Sequence, residues 1–157
     1  MGKGINIAEQ CHVVNILPPV DISAGVLSDI WSMKNHSHCS IIIQIGASAA
    51  AFTKIILNKG TTLVTGSGVA MEHTIYKEET AAGDTLGSAT AVLAAGTTPS
   101  ATDSIMYVIE VEAAELGDGY STLELSLTNG VNSVIASAVA ILSGERFTGD
   151  QNATAIA

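Results

Sequence analysis

The histidine and cysteine side chains of this chain cluster most tightly at His36-Ser37-His38-Cys39, and both residue types bind zinc. Alternate residues of a strand share a face, so His36 and His38 could point the same way. A tetrahedral site needs further ligands, and Cys11-His12 could supply one only if the fold brings it near. Because the sequence has no second cluster with ligand spacing, the pattern favours a polar turn that leads into a buried strand. We therefore predict no metal site, with Cys39 in the core.

The carboxylates do not form an obvious acid–base pair. Glu78 and Glu79 are adjacent, and neighbouring strand residues point to opposite faces, so these two side chains would not converge in a cleft. Glu110 and Glu112 do share a face, and with Glu124 they could form an acidic stripe. Such a stripe could bind a cation, but a face exposed to solvent is the commoner arrangement for carboxylates.

Two glycine-containing segments also lack the residues that a catalytic motif needs. Gly66-Ser67-Gly68 has no following lysine or helix, so it is not a phosphate-binding loop. Ser143-Gly144-Glu145-Arg146 does not match a nucleophile elbow. We predict no catalytic residue, no cofactor and no enzymatic activity.

The apolar residues occur in short blocks separated by Gly, Thr, Ser and Asn, which is typical of strands. The blocks predict strands over residues 26–32, 38–45, 51–57, 69–77, 104–112, 121–128 and 131–142, with a weak strand at about 85–93. Ala113-Ala114-Glu115-Leu116 predicts one helical turn, stopped by the Gly117-Asp118-Gly119 segment. Asn129-Gly130 favours a two-residue type I′ turn, and therefore a β-hairpin over 121–142.

Side-chain alternation predicts which faces of these strands are buried. In 104–112, one face carries Ile105, Tyr107, Ile109 and Val111. In 121–128, Leu123, Leu125 and Leu127 face one way, and Thr122, Glu124, Ser126 and Thr128 face the other, towards solvent. The strand 131–142 is instead apolar on both faces, so its second face needs a cover, which is either an arm or loop of the same chain or another subunit.

These elements predict an all-β fold: an antiparallel β-sandwich or barrel, of jelly-roll or immunoglobulin-like topology, with extended N- and C-terminal arms. We divide the chain into an N-terminal leader and arm over 1–22, a β-sandwich domain over 23–142 and a C-terminal arm over 143–157. Pro18-Pro19 makes residues 12–22 an extended or edge element, which can lie along its own sheet or along a neighbour.

Composition favours assembly over chemistry. Hydrophobic residues make up 47% of the chain and charged residues only 13%, which is about half the usual charged fraction. No apolar stretch reaches the roughly 20 residues that span a bilayer. The formal net charge of −9 argues against partners that are nucleic acids or anionic membrane surfaces.

Several segments together resemble a family of small tailed-bacteriophage virion proteins. They are LPPVDI (17–22), SDIWSMKNHSHCSIIIQIGA (28–47), YKEETAAGDTLG (76–87), YVIEVEAAELGDGY (107–120), SVIASAVAILSGERF (133–147) and TAIA (154–157). The resemblance covers most of the chain from Val13 to Ala157. It implies a capsid decoration or cement protein, which is made in the host cytoplasm and lies on the capsid exterior of the virion. Such proteins often form trimers on local three-fold axes and clamp neighbouring major capsid proteins.

The resemblance brings no site motif, so we infer the interface from the residues. The N-terminal arm is expected to reach a neighbour by strand addition or groove packing, and the strand 131–142 to face another subunit. The predicted interface residues are Ile16, Leu17, Pro18, Pro19, Val20, Ile22, Ile135, Val139 and Ile141. The alternatives are a tail-tube or other tail subunit, which would polymerise into rings or tubes, and a virion-surface binding module. The scarcity of aromatic residues weighs against a carbohydrate binder of the latter kind, for which Trp31 and Tyr120 are the candidate stacking residues.

Overall fold

The computed structural model describes residues 4–48, 53–78, 85–100, 104–130 and 132–146. These residues form two antiparallel sheets that pack together as an open sandwich, not as a closed barrel. The predicted all-β fold is therefore confirmed. Two short helical turns accompany the sheets, the α-helix α1 (Ile7–Gln10) and a 3₁₀ helix at Ala113–Leu116, which lies where the sequence predicts one turn.

The six-stranded sheet has the order β1-β11-β4-β9-β7-β8. Its strands are β1 (His12–Asp21), β4 (His36–Ser48), β7 (His73–Lys77), β8 (Thr90–Val92), β9 (Ile105–Glu112) and β11 (Val134–Glu145). The other sheet has the order β2-β10-β5-β6, and β3 also pairs with β10. Its strands are β2 (Val26–Leu27), β3 (Trp31–Ser32), β5 (Lys54–Gly60), β6 (Val69–Ala70) and β10 (Thr122–Thr128).

One apolar core lies between the sheets, and it is built by alternate residues of the long strands. The predicted buried face of β9 is confirmed, since Ile105, Tyr107, Ile109 and Val111 are all at most 4% exposed. The inward face of β11 consists of Val134, Ala136, Ala138, Ala140 and Leu142, and each of these is also buried. Each large aliphatic side chain that is fully buried in this way stabilises the fold by about 1.5–3 kcal/mol.

The predicted hairpin over 121–142 is wrong. β10 pairs with β5, β2 and β3 in one sheet, whereas β11 pairs with β1 and β4 in the other. Asn129 and Gly130 lack the positive φ that a type I′ turn requires. The Asn129 side chain instead organises a crossing between the sheets, because its Nδ2 donates to the Asn132 carbonyl at 2.7 Å and its Oδ1 accepts from Gly130 N–H at 2.8 Å.

The outward face of β10 is buried, which contradicts the predicted half-exposed strand. Thr122 and Glu124 are only 3% and 2% exposed. The segment 61–68 crosses over them, since Thr122 Oγ1 donates to the Thr62 carbonyl at 3.1 Å and Gly66 N–H donates to Glu124 Oε1 at 3.0 Å. The Thr122 and Glu124 side chains therefore form hydrogen bonds with the backbone of the covering segment and are not exposed to water.

The N-terminal segment forms the edge strand of its own sheet. β1 pairs with β11 from His12↔Leu142 to Asp21↔Ile135, and the register shifts between Asn15 and Leu17 and again between Leu17 and Val20. The second shift spans Pro18-Pro19 and follows from proline chemistry, because proline has no N–H to donate to the ladder. At the opposite end of the chain, β11 continues to Glu145, and residues 147–157 of the predicted C-terminal arm lie outside the described residues.

Asp21 fastens the end of β1 to the start of β11. Its Oδ2 accepts from Ser133 Oγ at 2.8 Å, and its Oδ1 accepts from Ser23 N–H at 2.9 Å and Val134 N–H at 3.3 Å. The Ser133 hydroxyl, followed by the Ser23 backbone N–H, lowers the pKa of Asp21 below its ordinary value of 3.8. The folded state therefore favours the ionised carboxylate.

The Asp21 contacts predict an acid-sensitive contribution to stability. Because the pKa is lowered on folding, the contribution is fully present above the ordinary pKa and disappears as the pH falls through the lowered value. Asp21→Asn should therefore be less stable than the wild type at pH 7, and the difference in free energy of unfolding should shrink below about pH 4. Urea denaturation of both proteins from pH 7 to below about pH 4 measures this difference in free energy of unfolding. A difference that does not change with pH would contradict the ionic contribution.

Two adjacent isoleucines on β4 test the assignment of faces. Ile43 is fully buried, so Ile43→Ala should lower the free energy of unfolding by about 2–5 kcal/mol. Ile42 is partly exposed on the opposite face, so Ile42→Ala should lower it by less than half as much. Denaturation at low protein concentration measures both, and equal losses would mean that both faces of β4 are buried within one chain.

Candidate functional site

The outward face of the six-stranded sheet carries a band of apolar side chains. Strand pairing places Val139 of β11 beside Ile42 of β4, Ile42 beside Val108 of β9, and Val108 beside Tyr76 of β7. We call these four residues the apolar band; Ile42, Tyr76 and Val139 are partly exposed, whereas Val108 is only 8% exposed. It crosses four neighbouring strands, which is about 14 Å at the usual strand spacing.

Further apolar residues extend this face beyond the band. Val13 of β1 pairs with Ile141 of β11 in the neighbouring row. Val13 is 49% exposed, and Ile135, further along β11, is 42% exposed. An outward sheet face normally carries polar residues, so the partly exposed apolar side chains on this face make it a candidate contact surface for another molecule.

A local sequence feature explains why the band forms. Ile41-Ile42-Ile43 and Tyr107-Val108-Ile109 are consecutive apolar residues in strands whose side chains alternate in direction. Two residues of each run enter the core, and the third must therefore point outward. Sequence reasoning identified the outward residues of β11 but missed Ile42, Val108 and Tyr76, although consecutive apolar residues on a strand are the signal that finds them.

A polar cluster ends the apolar band on one side. His38 Nε2 lies 2.8 Å from Glu110 Oε2, and His38 Nδ1 lies 2.9 Å from Glu112 Oε1. Ser40 Oγ donates to Glu110 Oε2 at 2.6 Å. The predicted common face of Glu110 and Glu112 is therefore confirmed, but Glu124 lies on the other sheet and does not join the stripe.

His36 and Cys39 do not combine with His38 into a ligand set. The His36 ring is buried and stacks on the His12 ring, with their centroids 6.0 Å apart. Burial, followed by the nearby His12, lowers the pKa of His36. Within the described ranges, no group of three or more His, Cys, Asp and Glu side chains is arranged to hold a metal ion.

The predicted interface residues divide into two groups. Ile16, Leu17 and Ile22 are at most 4% exposed and lie in the core of their own chain. The side chains that remain available to a partner are Pro18, Pro19, Val20, Ile135, Val139 and Ile141. The first three lie on the edge strand β1, and the last three lie on the outward face of β11.

The two aromatic residues considered for carbohydrate binding also differ. Trp31 is fully buried and lies in the core, so its ring is not available to stack on a sugar. Tyr120 is partly exposed at one end of the sandwich, where Lys59 Nζ lies 4.5 Å from its ring centroid.

Comparison with protein-family models, with curated proteins and with solved structures gives no match to this chain. In the part of the chain that the structure describes, no helix has the length and apolar character to cross a membrane.

Cys39 should be chemically inert in the folded protein. Burial raises the pKa of its thiol to about 12, so the reactive thiolate is scarce at neutral pH. We expect Cys39 to resist a thiol reagent at pH 8 and to react fully after denaturation. The Cys11→Ser variant isolates this thiol, and rapid labelling of that variant in its native state would contradict the burial of Cys39.

Proposed function

We propose that this chain is a non-enzymatic structural protein of a tailed-bacteriophage virion. In this proposal it decorates the exterior of the icosahedral capsid as a homotrimer and clamps neighbouring major capsid proteins. The observation that carries the proposal is the apolar band on the outward face of the six-stranded sheet. The resemblance of the sequence to small virion proteins supports the same assignment.

The size of the apolar surface argues for several contacts per subunit. A stable protein interface buries about 800 Å² on each partner, and an apolar surface about 14 Å wide supplies only part of that area. Pro18, Pro19 and Val20 are exposed on β1 and can contribute a second contact. A subunit that contacts its own copies through one surface and the shell through another matches the requirements of a clamp.

The edge of the sheet favours a closed assembly over an open fibre. The free edge of β1 is interrupted by Pro18-Pro19, and the Ile16 carbonyl already accepts from Asp29 N–H at 2.8 Å. These features block continuous strand addition at the β1 edge, which is one route from an exposed edge to a polymer. Contact between sheet faces, repeated around a three-fold axis, would close after three subunits.

Stabilisation of the capsid would follow from mass action. A protein that binds only the assembled shell lowers the free energy of that state by RT ln(1 + [L]/Kd), which is about 2.7 kcal/mol at one hundred times Kd. Repeated over many sites, this contribution opposes rupture of the shell. No catalytic group is needed for such a role.

Val139→Asp tests whether the apolar band is an interface. A charge in place of an interfacial valine should weaken association by roughly 2 kcal/mol, or about thirtyfold, because the carboxylate is desolvated without a partner. Folding should be retained, because Val139 is partly exposed. Light scattering measures the mass in solution, and a thermal melt checks the fold.

Val64→Asp is the matched control, because Val64 is 59% exposed on the 61–68 segment and lies away from the apolar band. The proposal expects a discrete trimer for the wild type and for Val64→Asp, and dissociation for Val139→Asp. A folded Val139→Asp variant with the same mass as the wild type would overturn the interface. Large rings or tubes of the wild type would support a tail subunit instead.

A further inference from the structure

A pocket opens at one end of the sandwich, away from the apolar band. Its volume is about 430 Å³, which suits a monosaccharide or a molecule of similar size. Four segments line it: the turn at Met33-Lys34, the 3₁₀ helix, the loop over residues 117–121 and Arg146 at the end of β11.

The loop keeps its open shape because two of its residues are glycines. Gly117 and Gly119 have φ values of +78° and +85°, which residues with a side chain rarely adopt. A Cβ placed on Gly119 would meet no atom within 4 Å, so this part of the wall is open. The loop was identified in the sequence only as the stop signal of a helical turn.

Cationic side chains concentrate around this pocket. The whole chain has only six Lys and Arg residues, yet Lys34 and Arg146 both line the pocket and both are exposed. Among the described residues, neither side chain takes part in an ion pair. In a chain with a formal net charge of −9, two unpaired cations on one pocket provide a local site for an anion.

A third cation fixes an aromatic side chain of the wall. Lys59 Nζ donates to the Leu116 carbonyl at 2.7 Å and lies 4.5 Å from the ring centroid of Tyr120. The Tyr120 ring is therefore held by a cation–π contact while it lines the pocket. A positioned ring of this kind supplies an apolar surface on which a flat face of a ligand can pack.

The remaining charged group of the wall limits the charge of the ligand. Asp118 is the single acidic residue in the lining, so the lining residues, with Lys34 and Arg146, have a formal net charge of +1, and Lys59 lies behind the Tyr120 ring outside the lining. A ligand with one negative charge balances the lining, whereas a doubly charged phosphate would leave it with a net negative charge. An ionised carboxylate accepts hydrogen bonds and donates none, so Asp118 suits the hydroxyl groups of a ligand.

From these residues we propose that the pocket binds a sugar acid, which is a pyranose ring that carries one carboxylate. Arg146 and Lys34 bind the carboxylate, Asp118 accepts from ring hydroxyls, and the Tyr120 ring packs against the apolar face of the sugar. The site is separate from the apolar band and does not depend on the capsid proposal.

Calorimetric titration with D-glucuronate tests the proposal, with D-glucose and inorganic phosphate as comparison probes. D-glucuronate should bind at least tenfold more tightly than D-glucose, because only its carboxylate can form charge-assisted hydrogen bonds with Arg146 and Lys34. No binding of D-glucuronate at concentrations up to about 50 mM would overturn the proposal, because even weak ligands saturate there. Tighter binding of phosphate would overturn the assignment of a carboxylate.

Variants assign the binding to this pocket. Arg146→Ala and Lys34→Ala should each weaken D-glucuronate binding about tenfold or more, whereas Lys77→Ala, which removes an exposed cation outside the pocket, should not. All three substitutions are at exposed positions, and a thermal melt checks that each variant folds. Unchanged affinity in both pocket variants would overturn the site.

Comparing the affinity for an oligosaccharide that contains glucuronate with the affinity for D-glucuronate distinguishes two sources of the ligand. Tighter binding of the oligosaccharide than of the monosaccharide supports a site for one unit of a polysaccharide. Equal affinities support a site for the free sugar acid.

Discussion

The fold depends on the position of β11 between β1 and β4. This strand of twelve residues is paired along both edges, and its inward face supplies Ala136, Ala138 and Ala140 to the core. Small side chains at the centre of a sheet leave room for the large aliphatic residues of the opposing sheet. The same strand points Ile135, Val139 and Ile141 outward, so the element that closes the core also creates the surface that we assign to a partner.

Much of the fold follows from alternation along the sequence, but the pairing of strands does not. The strand character of β4, β10 and β11 was readable from short apolar blocks between turn residues, and the inward face of β9 was readable because apolar residues recur at every second position. The prediction of a hairpin over 121–142 was wrong because Asn129-Gly130 indicates a turn but does not indicate which sheet the chain enters next. The prediction that the outward face of β10 is exposed to solvent was wrong for a related reason. Whether Thr122 and Glu124 contact water depends on the path of the 61–68 segment, and tertiary structure sets that path.

The two candidate sites differed in how far the sequence could reveal them. The outward residues of β11 stood out because one strand was apolar on both faces. The rest of the apolar band required the register of three more strands, since Ile42, Val108 and Tyr76 become neighbours only through pairing. The pocket could not be predicted at all, because Lys34, Tyr120 and Arg146 are far apart in the chain and meet only where the ends of several strands converge.

The pairing of β1 with β11 also has a consequence for how the protein is made. These strands lie near opposite ends of the chain, and His12 meets Leu142 in their ladder. Closing a loop of that length costs about 4 kcal/mol of chain entropy, and topologies with such distant contacts fold slowly. At translation rates of about 5–20 residues per second, β1 emerges from the ribosome several seconds before its partner. The six-stranded sheet therefore cannot be completed until β11 has been synthesised, and β1 stays available to other chains until then.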